Sequence, residues 1–189
     1  IFYPVPLCDA LEFVRHPEKV KDDELTVTGI DIKTKQDKNL VITAVRKLRN
    51  KLPVPFLKIH LHKVIPAGAG LGGGSSDAAC MLKAVDRCFS LSLSDTDLKA
   101  MALELGSDCP FFIDPVPSVG TGRGEKLKPL KPFLEGYHLV LINPKIHTTT
   151  REAYINSRPS VPEKKLEKLV ALNPEEWKRH ISNDFEDYA

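Results

Sequence analysis

Between Phe56 and Val64 apolar and polar residues alternate, with Leu57, Ile59 and Leu61 on one side and Lys58, His60 and His62 on the other. A period of two predicts a strand with one face packed and one face wet, as in an antiparallel sheet. Phe2 to Val14 carries Tyr3, Val5, Leu7, Leu11, Phe13 and Val14 with Pro4 and Pro6, which predicts an extended strand. Glu24 to Gly29 predicts a second short strand, and the polar stretch Asp31 to Lys38 a loop. Leu40, Ala44, Val45 and Leu48 then recur at helical spacing behind Asn39, a good N-cap, with Arg46, Lys47, Arg49 and Lys51 on a solvated opposite face. A second helix is expected from Ser75 to about Phe89. A third follows Ser94 through Leu98, Met101, Ala102 and Leu105 and stops at Gly106. Ser118 to Leu127 predicts two short strands around Thr121-Gly122-Arg123-Gly124, for which a plain hairpin is sufficient. Tyr137 to Ile142 predicts a compact apolar strand ending at Asn143-Pro144, where a first domain closes. Beyond it a helix holds Ala153 and Tyr154, the polar region Ser157 to Lys168 is a loop merging into a helix, and Trp177 anchors a further helix.

At 189 residues, with 42% apolar and 28% charged residues, the composition is that of a globular chain able to bury a real core. The net charge of +2 gives no reason to expect nucleic acid or a membrane as partner, and no apolar run approaches the length of a membrane span. Cys8, Cys80, Cys88 and Cys109 form no C-x-x-C, which predicts reduced, mostly packing thiols in a cytoplasmic protein. His60 and His62 lie two apart on one strand face, but no third ligand stands near them in sequence, so a metal is not expected there. The chain opens at Ile1 in mid-strand, and we expect that this is not the native start.

The stretch with most chemistry is Pro66-Ala-Gly-Ala-Gly-Leu-Gly-Gly-Gly-Ser-Ser-Asp-Ala-Ala79. Glycines at 68, 70, 72, 73 and 74 let the backbone curl tightly, and ordering such a loop costs conformational entropy that a ligand can offset. Ser75, Ser76 and Asp77 are N-cap types opening an apolar-periodic run through Ala78, Ala79, Leu82 and Val85. A glycine loop feeding a helix N-terminus, with its free N–H groups and positive dipole end, is a phosphate cradle. It is not a Walker A loop, because the position where that motif has Lys is Gly74. Gly68, Gly70 and Gly73 fit G-x-G-x-x-G and nominate a dinucleotide-binding oxidoreductase. The alternating strand before them, and the absence of a strand ending in an acidic residue about twenty positions on, argue against it.

Downstream, Gly106-Ser-Asp-Cys-Pro-Phe-Phe112 stops a helix at Pro110 and sets two aromatic rings beside the carboxylate of Asp108. Partly desolvated next to a cation, Asp108 stays ionised and can take a proton from an attacking hydroxyl; an Asp that only caps a turn is the competing reading.

Both stretches, Gly-Leu-Gly-Gly-Gly-Ser-Ser-Asp-Ala-Ala (70–79) and Gly-Ser-Asp-Cys-Pro-Phe-Phe, resemble the motifs of the galactokinase, homoserine, mevalonate and phosphomevalonate (GHMP) kinase superfamily. The resemblance implies an α+β fold, with an N-terminal ribosomal-protein-S5-domain-2-like domain over residues 1–145 and the start of a ferredoxin-like domain over 146–189. It further implies ATP, with Mg²⁺, over Pro66, Ala67, Gly68, Ala69, Gly70, Leu71, Gly72, Gly73, Gly74, Ser75 and Ser76; either serine hydroxyl can touch the metal. Asp108 is then catalytic. Asn39 falls where the family has a residue near the adenine, and helix capping explains it equally well. Lys63 falls where the family has a nucleotide-contacting Lys, a mobile ammonium beside the triphosphate; a snorkelling surface Lys is the alternative.

The wording of the loop is most similar to the branch of this superfamily whose acceptor is a cytidine diphosphate-linked polyol. That branch implies phosphorylation of the 2-hydroxyl of diphosphocytidyl-methylerythritol, in a cytoplasmic monomer or homodimer of the non-mevalonate isoprenoid route. Phe2 falls where it lines the substrate pocket, Thr150 where a Thr contacts substrate, and Tyr154 where an aromatic stacks on the cytosine; core packing is the alternative for Phe2 and Tyr154. Ser182-Asn183-Asp184-Phe185-Glu186 is similar to the family's Asn-Asp segment. Three family features have no match in these residues: an N-terminal Lys paired with the catalytic Asp, a Tyr-His substrate turn and a C-terminal glycine-serine motif. The 189 residues alone are therefore expected to be inactive. A homoserine or mevalonate type of kinase and a noncatalytic nucleotide-binding module are the remaining readings.

Overall fold

The alternating stretch becomes the middle strand of the main sheet. In the computed structural model, which describes residues 1–32, 34–143, 150–158 and 164–185, β1 (Ala10–Arg15) and β2 (Glu24–Gly29) flank β3 (Leu57–Lys63) in the order β1-β3-β2. β1 runs antiparallel to β3, with Phe13 opposite Ile59, whereas β2 runs parallel to it, with Val27 opposite Leu61. The expected antiparallel sheet is thus mixed, because the chain crosses from β2 to β3 through α1 (Leu40–Arg49).

One face of this sheet is covered. Leu57, Ile59 and Leu61 are buried against Ile42, Val45 and Leu48 of α1 and Met81, Leu82 and Val85 of α2 (Gly73–Phe89). Each large apolar side chain so buried contributes roughly 1.5–3 kcal/mol, and a one-residue slip of β3 would exchange three of them for histidine and lysine, so the register is firmly set. On the open face Thr28 Oγ1 bonds both His60 Nε2 (2.8 Å) and His62 Nδ1 (2.9 Å), and His60 also meets Glu12.

Local signals explain most helix ends. Asn39 Oδ1 accepts from Val41 N–H at 2.9 Å and caps α1. Ser94 and Asp97 form a capping box at the start of α3 (Asp95–Leu103). α2 departs from the expectation: it begins at Gly73, and its N-cap is Gly72 at φ +67°, with no side-chain cap. Ser75, Ser76 and Asp77 therefore sit inside the first turns rather than ahead of them.

The extended strand expected from Phe2 to Val14 is also revised. Phe2 makes an isolated bridge to Ser118, through Phe2 N–H to Ser118 O at 2.8 Å and its reciprocal at 2.9 Å, and β1 starts only at Ala10. β4 (Ser118–Thr121) and β5 (Lys126–Pro129) form the expected hairpin. Tyr137 to Ile142 forms no strand: among the described residues it has no ladder partner, and Val140 is 81% and Ile142 84% exposed. Pro144, the 145/146 division, His147, Thr148, Thr149 and Glu186 lie outside the described residues. α4 (Thr150–Asn156), α5 (Leu166–Leu169) and α6 (Pro174–His180) follow. α6 docks through Trp177 on Phe133, whose ring in turn meets Tyr3, with centroids 5.6 and 4.9 Å apart.

The cysteines do not pack as expected. Cys109 is buried, but Cys8, Cys80 and Cys88 are exposed. Among the described residues no helix is long and apolar enough to cross a membrane.

Candidate active site

The glycine loop leaves β3 at its end and returns into α2, and residues 66–70 and 72–75, with Leu40, enclose a cavity of about 220 Å³. Because Gly72 brings no capping side chain, the first-turn N–H groups of α2, a helix of 17 residues, are left for whatever occupies that hollow. Ser75 lines this cavity, and its hydroxyl also meets the buried thiol of Cys109, whose pKa is pushed up by burial. Gly74 and Gly73 keep side chains out of the rim; a Cβ on Gly73 would come within 2.8 Å of Ile65 Cγ2.

Beneath the loop lies a buried ionic group. Lys63, the last residue of β3, bonds Asp9, and its Nζ is 2.7 Å from Asp77 Oδ2 on α2. The three side chains are only 3%, 3% and 8% exposed for Lys63, Asp9 and Asp77. Asp9 Oδ1 also accepts from Val64 N–H (2.5 Å) and Ile65 N–H (2.8 Å). Burial pushes the Asp77 carboxyl up to about 6, against the pull of the Lys63 ammonium. Burial works the same way on Asp9, but there Lys63 and the two amides outweigh it and hold the carboxyl below its ordinary range. For Lys63 desolvation is outweighed by its two carboxylates, and its pKa is raised. Lys63 does not snorkel at the surface: its ammonium is buried between two acids. Nothing in the local sequence signalled Asp9, which joins Lys63 from 54 residues away.

The second motif arrives from the other side. A short 3-10 turn, Cys109–Phe112, starts at Asp108, carries Pro110 in its first turn and is held by Lys83 Nζ on Ile113 O at 2.7 Å. Phe111 packs against Phe2 (5.1 Å between centroids) and Phe112 against Phe111 (5.0 Å). This turn sets Asp108 in a second cavity of about 340 Å³ that also takes in Gly70, Leu71, Gly72, Ser76, Phe2 and Phe112. Asp108 is exposed, and among the described residues no cation stands within ion-pair distance of it, so the expected desolvation beside a cation is corrected to an open carboxylate. The β4–β5 turn is closer to it than its hairpin pattern suggested. A Cβ on Gly124 would stand 3.4 Å from both Asp108 Oδ1 and Phe2 Cζ.

The structure therefore brings together Phe2, Asp108, the loop 66–74, Ser75 and Ser76. Asn39 is buried as the cap of α1, and it is the next residue, Leu40, that lines the loop cavity. Tyr154 is 65% exposed and meets Phe185 edge-on at 5.2 Å, away from both cavities. Thr150 opens α4, and its side chain lies outside the described residues.

Comparison with known proteins bears on the same two motifs. The GHMP kinases N terminal domain matches residues 39–114, from the cap of α1 to just past the Asp108 turn. Over 186 residues, 98% of this chain, it is 44% identical to the 4-diphosphocytidyl-2-C-methyl-D-erythritol kinase of Parabacteroides distasonis, of which it spans 67%. The enzyme of the same name from Bacteroides thetaiotaomicron is 42% identical over 187 residues, 99% of this chain and 68% of the relative. The chain belongs to the 4-diphosphocytidyl-2-C-methyl-D-erythritol kinase family.

A crystal structure of a 4-(cytidine 5'-diphospho)-2C-methyl-D-erythritol kinase, 29% identical, superposes with a TM-score of 0.66 over 95% of this chain and 63% of that one. The family's mixed α+β fold is therefore the fold here. A homoserine kinase from Cytophaga hutchinsonii, 16% identical, shares the fold at a TM-score of 0.55, over 82% of this chain and 53% of that one. The chain spans about two thirds of the length of these curated relatives and 63% of the solved kinase. Membership of this phosphotransferase family also replaces the dinucleotide-binding alternative. β3 is not the first of two parallel strands joined through the glycine loop, since its parallel neighbour, β2, precedes it.

Proposed function

We propose that this chain supplies the nucleotide cradle and the catalytic carboxylate of a cytoplasmic kinase that transfers the γ-phosphoryl group of ATP to the 2-hydroxyl of 4-diphosphocytidyl-2-C-methyl-D-erythritol. The observation that carries the reading is that Asp108, Ser76 and Gly70 to Gly72 of the glycine loop line one hollow. Main-chain N–H groups of the loop and of the first turn of α2 hold the phosphates. Asp108 accepts the proton of the acceptor hydroxyl as its oxygen attacks the γ-phosphorus and ADP departs. Phosphoryl transfer needs mainly positioning and charge stabilisation, which a rigid amide cradle and one open carboxylate provide.

The residues present also suit Mg²⁺, which takes hard oxygen donors, commonly one or two from protein and the rest from phosphate and water. Ser75, which lines the loop cavity, or Ser76, which lines the Asp108 cavity, would hold the ion through its hydroxyl. When bound, it neutralises charge on the β- and γ-phosphate oxygens. In this reading residues 1–145 form the nucleotide-binding domain and 146–189 begin a second domain. In this reading the exposed ring of Tyr154 on α4 takes the cytosine, and Thr150, which opens the same helix, contacts the substrate.

The deciding experiment offers the full-length protein diphosphocytidyl-methylerythritol, homoserine and mevalonate in parallel with labelled ATP. Phosphorylation of the cytidyl compound alone is expected. Transfer to homoserine or mevalonate instead, or binding of ATP without transfer to any of the three, overturns the proposal.

A further inference from the structure

We propose that Lys63 is a positioning residue for the nucleotide cradle, acting with Asp9 and Asp77 as an ionic clasp that joins the two ends of the glycine loop; the inference rests on the kinase reading of that loop. The clasp touches both ends of the loop. Where the chain enters it, Lys63 ends β3 and the amides of Val64 and Ile65 donate to Asp9 Oδ1. Where it leaves, Asp77 lies on the first turns of α2 and takes the Lys63 ammonium at 2.7 Å. Gly73 rests directly on this group: a Cβ there would stand 2.8 Å from Ile65 Cγ2 and 3.4 Å from Lys63 Nζ. The span from residue 66 to residue 72 is thus closed at its base before any ligand arrives.

Stability is a poor reason for such a group. Burying an ammonium between two carboxylates costs desolvation that their attraction hardly exceeds, and apolar replacements are often as stable. What charge contacts of fixed geometry do supply is one defined placement of the elements they join. The elements joined here are the strand that delivers the loop and the helix whose N-terminal amides complete it. Lys63 also cannot reach a ligand without leaving both acids, since its side chain is 3% exposed.

The clasp and a direct Lys–phosphate contact make opposite predictions for Asp77→Asn. If Lys63 contacts nucleotide, neutralising Asp77 frees the ammonium, and affinity is unchanged or improved. If the clasp positions the loop, Asp77→Asn and Lys63→Met weaken binding alike. The test measures the affinity of the full-length protein for a nonhydrolysable ATP analogue in Asp77→Asn, Asp9→Asn, Lys63→Met and the Lys63→Met/Asp77→Asn double variant. Thermal melting and amide hydrogen exchange of residues 66–72 are followed alongside.

Each single variant is expected to weaken analogue binding about ten- to hundredfold, as misplacement of a site from outside it does. The double variant should be no worse than the weaker single, because all act through one network. The loop amides should exchange faster in the free protein, and the KM for the acceptor should stay within about twofold, a split that general loosening of the fold would not give. Should Lys63→Met fail to fold, the two Asn variants carry the comparison. Wild-type affinity in Asp77→Asn with a loss in Lys63→Met overturns the clasp in favour of direct contact, and wild-type affinity in every variant overturns both. Failure of the unsubstituted protein to bind the analogue is a different result, which overturns the kinase reading itself and the inference with it.

Discussion

Gly70 and Gly72 provide a matched pair of perturbations. Both have positive φ, +70° and +67°, so alanine at either pays the left-handed penalty of about 1–2 kcal/mol. Their surroundings differ. A Cβ at 70 meets nothing within 4 Å, whereas one at 72 would lie 2.8 Å from Phe112 Cζ and 2.9 Å from Cε2. Forcing a methyl group into such a contact adds about 1–3 kcal/mol, so Gly72→Ala is expected to cost roughly 2–5 kcal/mol against 1–2 for Gly70→Ala. Urea unfolding of both variants measures the difference, and Phe112→Leu in the Gly72→Ala background should recover part of it by making room. Because Phe112 belongs to the turn that begins at Asp108, Gly72→Ala should also lower kcat as well as nucleotide affinity, while Gly70→Ala should act mainly on nucleotide affinity. Equal destabilisation by the two substitutions, with no recovery from Phe112→Leu, would refute the contact between loop and turn.

Three further outcomes follow from the same geometry. Asp108→Asn should lower kcat by roughly 10²–10⁴ while leaving binding of an ATP analogue within a few-fold, and unimpaired turnover would remove its role as base. Burial holds the Asp77 carboxyl at about 6 in the folded protein, above its unfolded value, so its contribution to stability is present in acid and is lost as pH rises through about 6. The stability difference between wild type and Asp77→Asn should therefore fall between about pH 4 and pH 6 and be level above; a difference that grows over that range contradicts the assignment. Asp23 accepts from Arg49 at 2.7 and 2.8 Å and from Leu57 N–H at 2.8 Å with its side chain fully buried, so Asp23→Ala should cost about 3–5 kcal/mol. Exposed Asp22, paired with Arg46, should lose no more than about 1 kcal/mol on the same change, and urea titration of the two variants checks the contrast.

What could be read from the residues depended on how local the cause was. The period of two in β3, the Asn39 cap and the Ser94 cap act over three or four positions, and each lies where the pattern put it. The start of α2 was misplaced because Gly72 caps through a left-handed backbone rather than a side chain, while the more familiar Ser75, Ser76 and Asp77 stood just behind it. Apolar Tyr137 to Ile142 has the composition of a strand, but strand formation is decided by partners distant in the chain. The clasp beneath the loop is the extreme case, since no window containing Lys63 contains Asp9. The family motifs drew attention to Asp108 and the loop; they said nothing of the open carboxylate or of Gly124 beside it.

The packing of Trp177 on Phe133, and of Phe133 on Tyr3, has a practical consequence. Tyr3 also forms part of the wall around Asp108, and the sequence holds a single tryptophan. These residues consequently carry their own optical reporter: emission from the one indole among them, two rings away from the acceptor hollow, registers how that wall is seated without any added label.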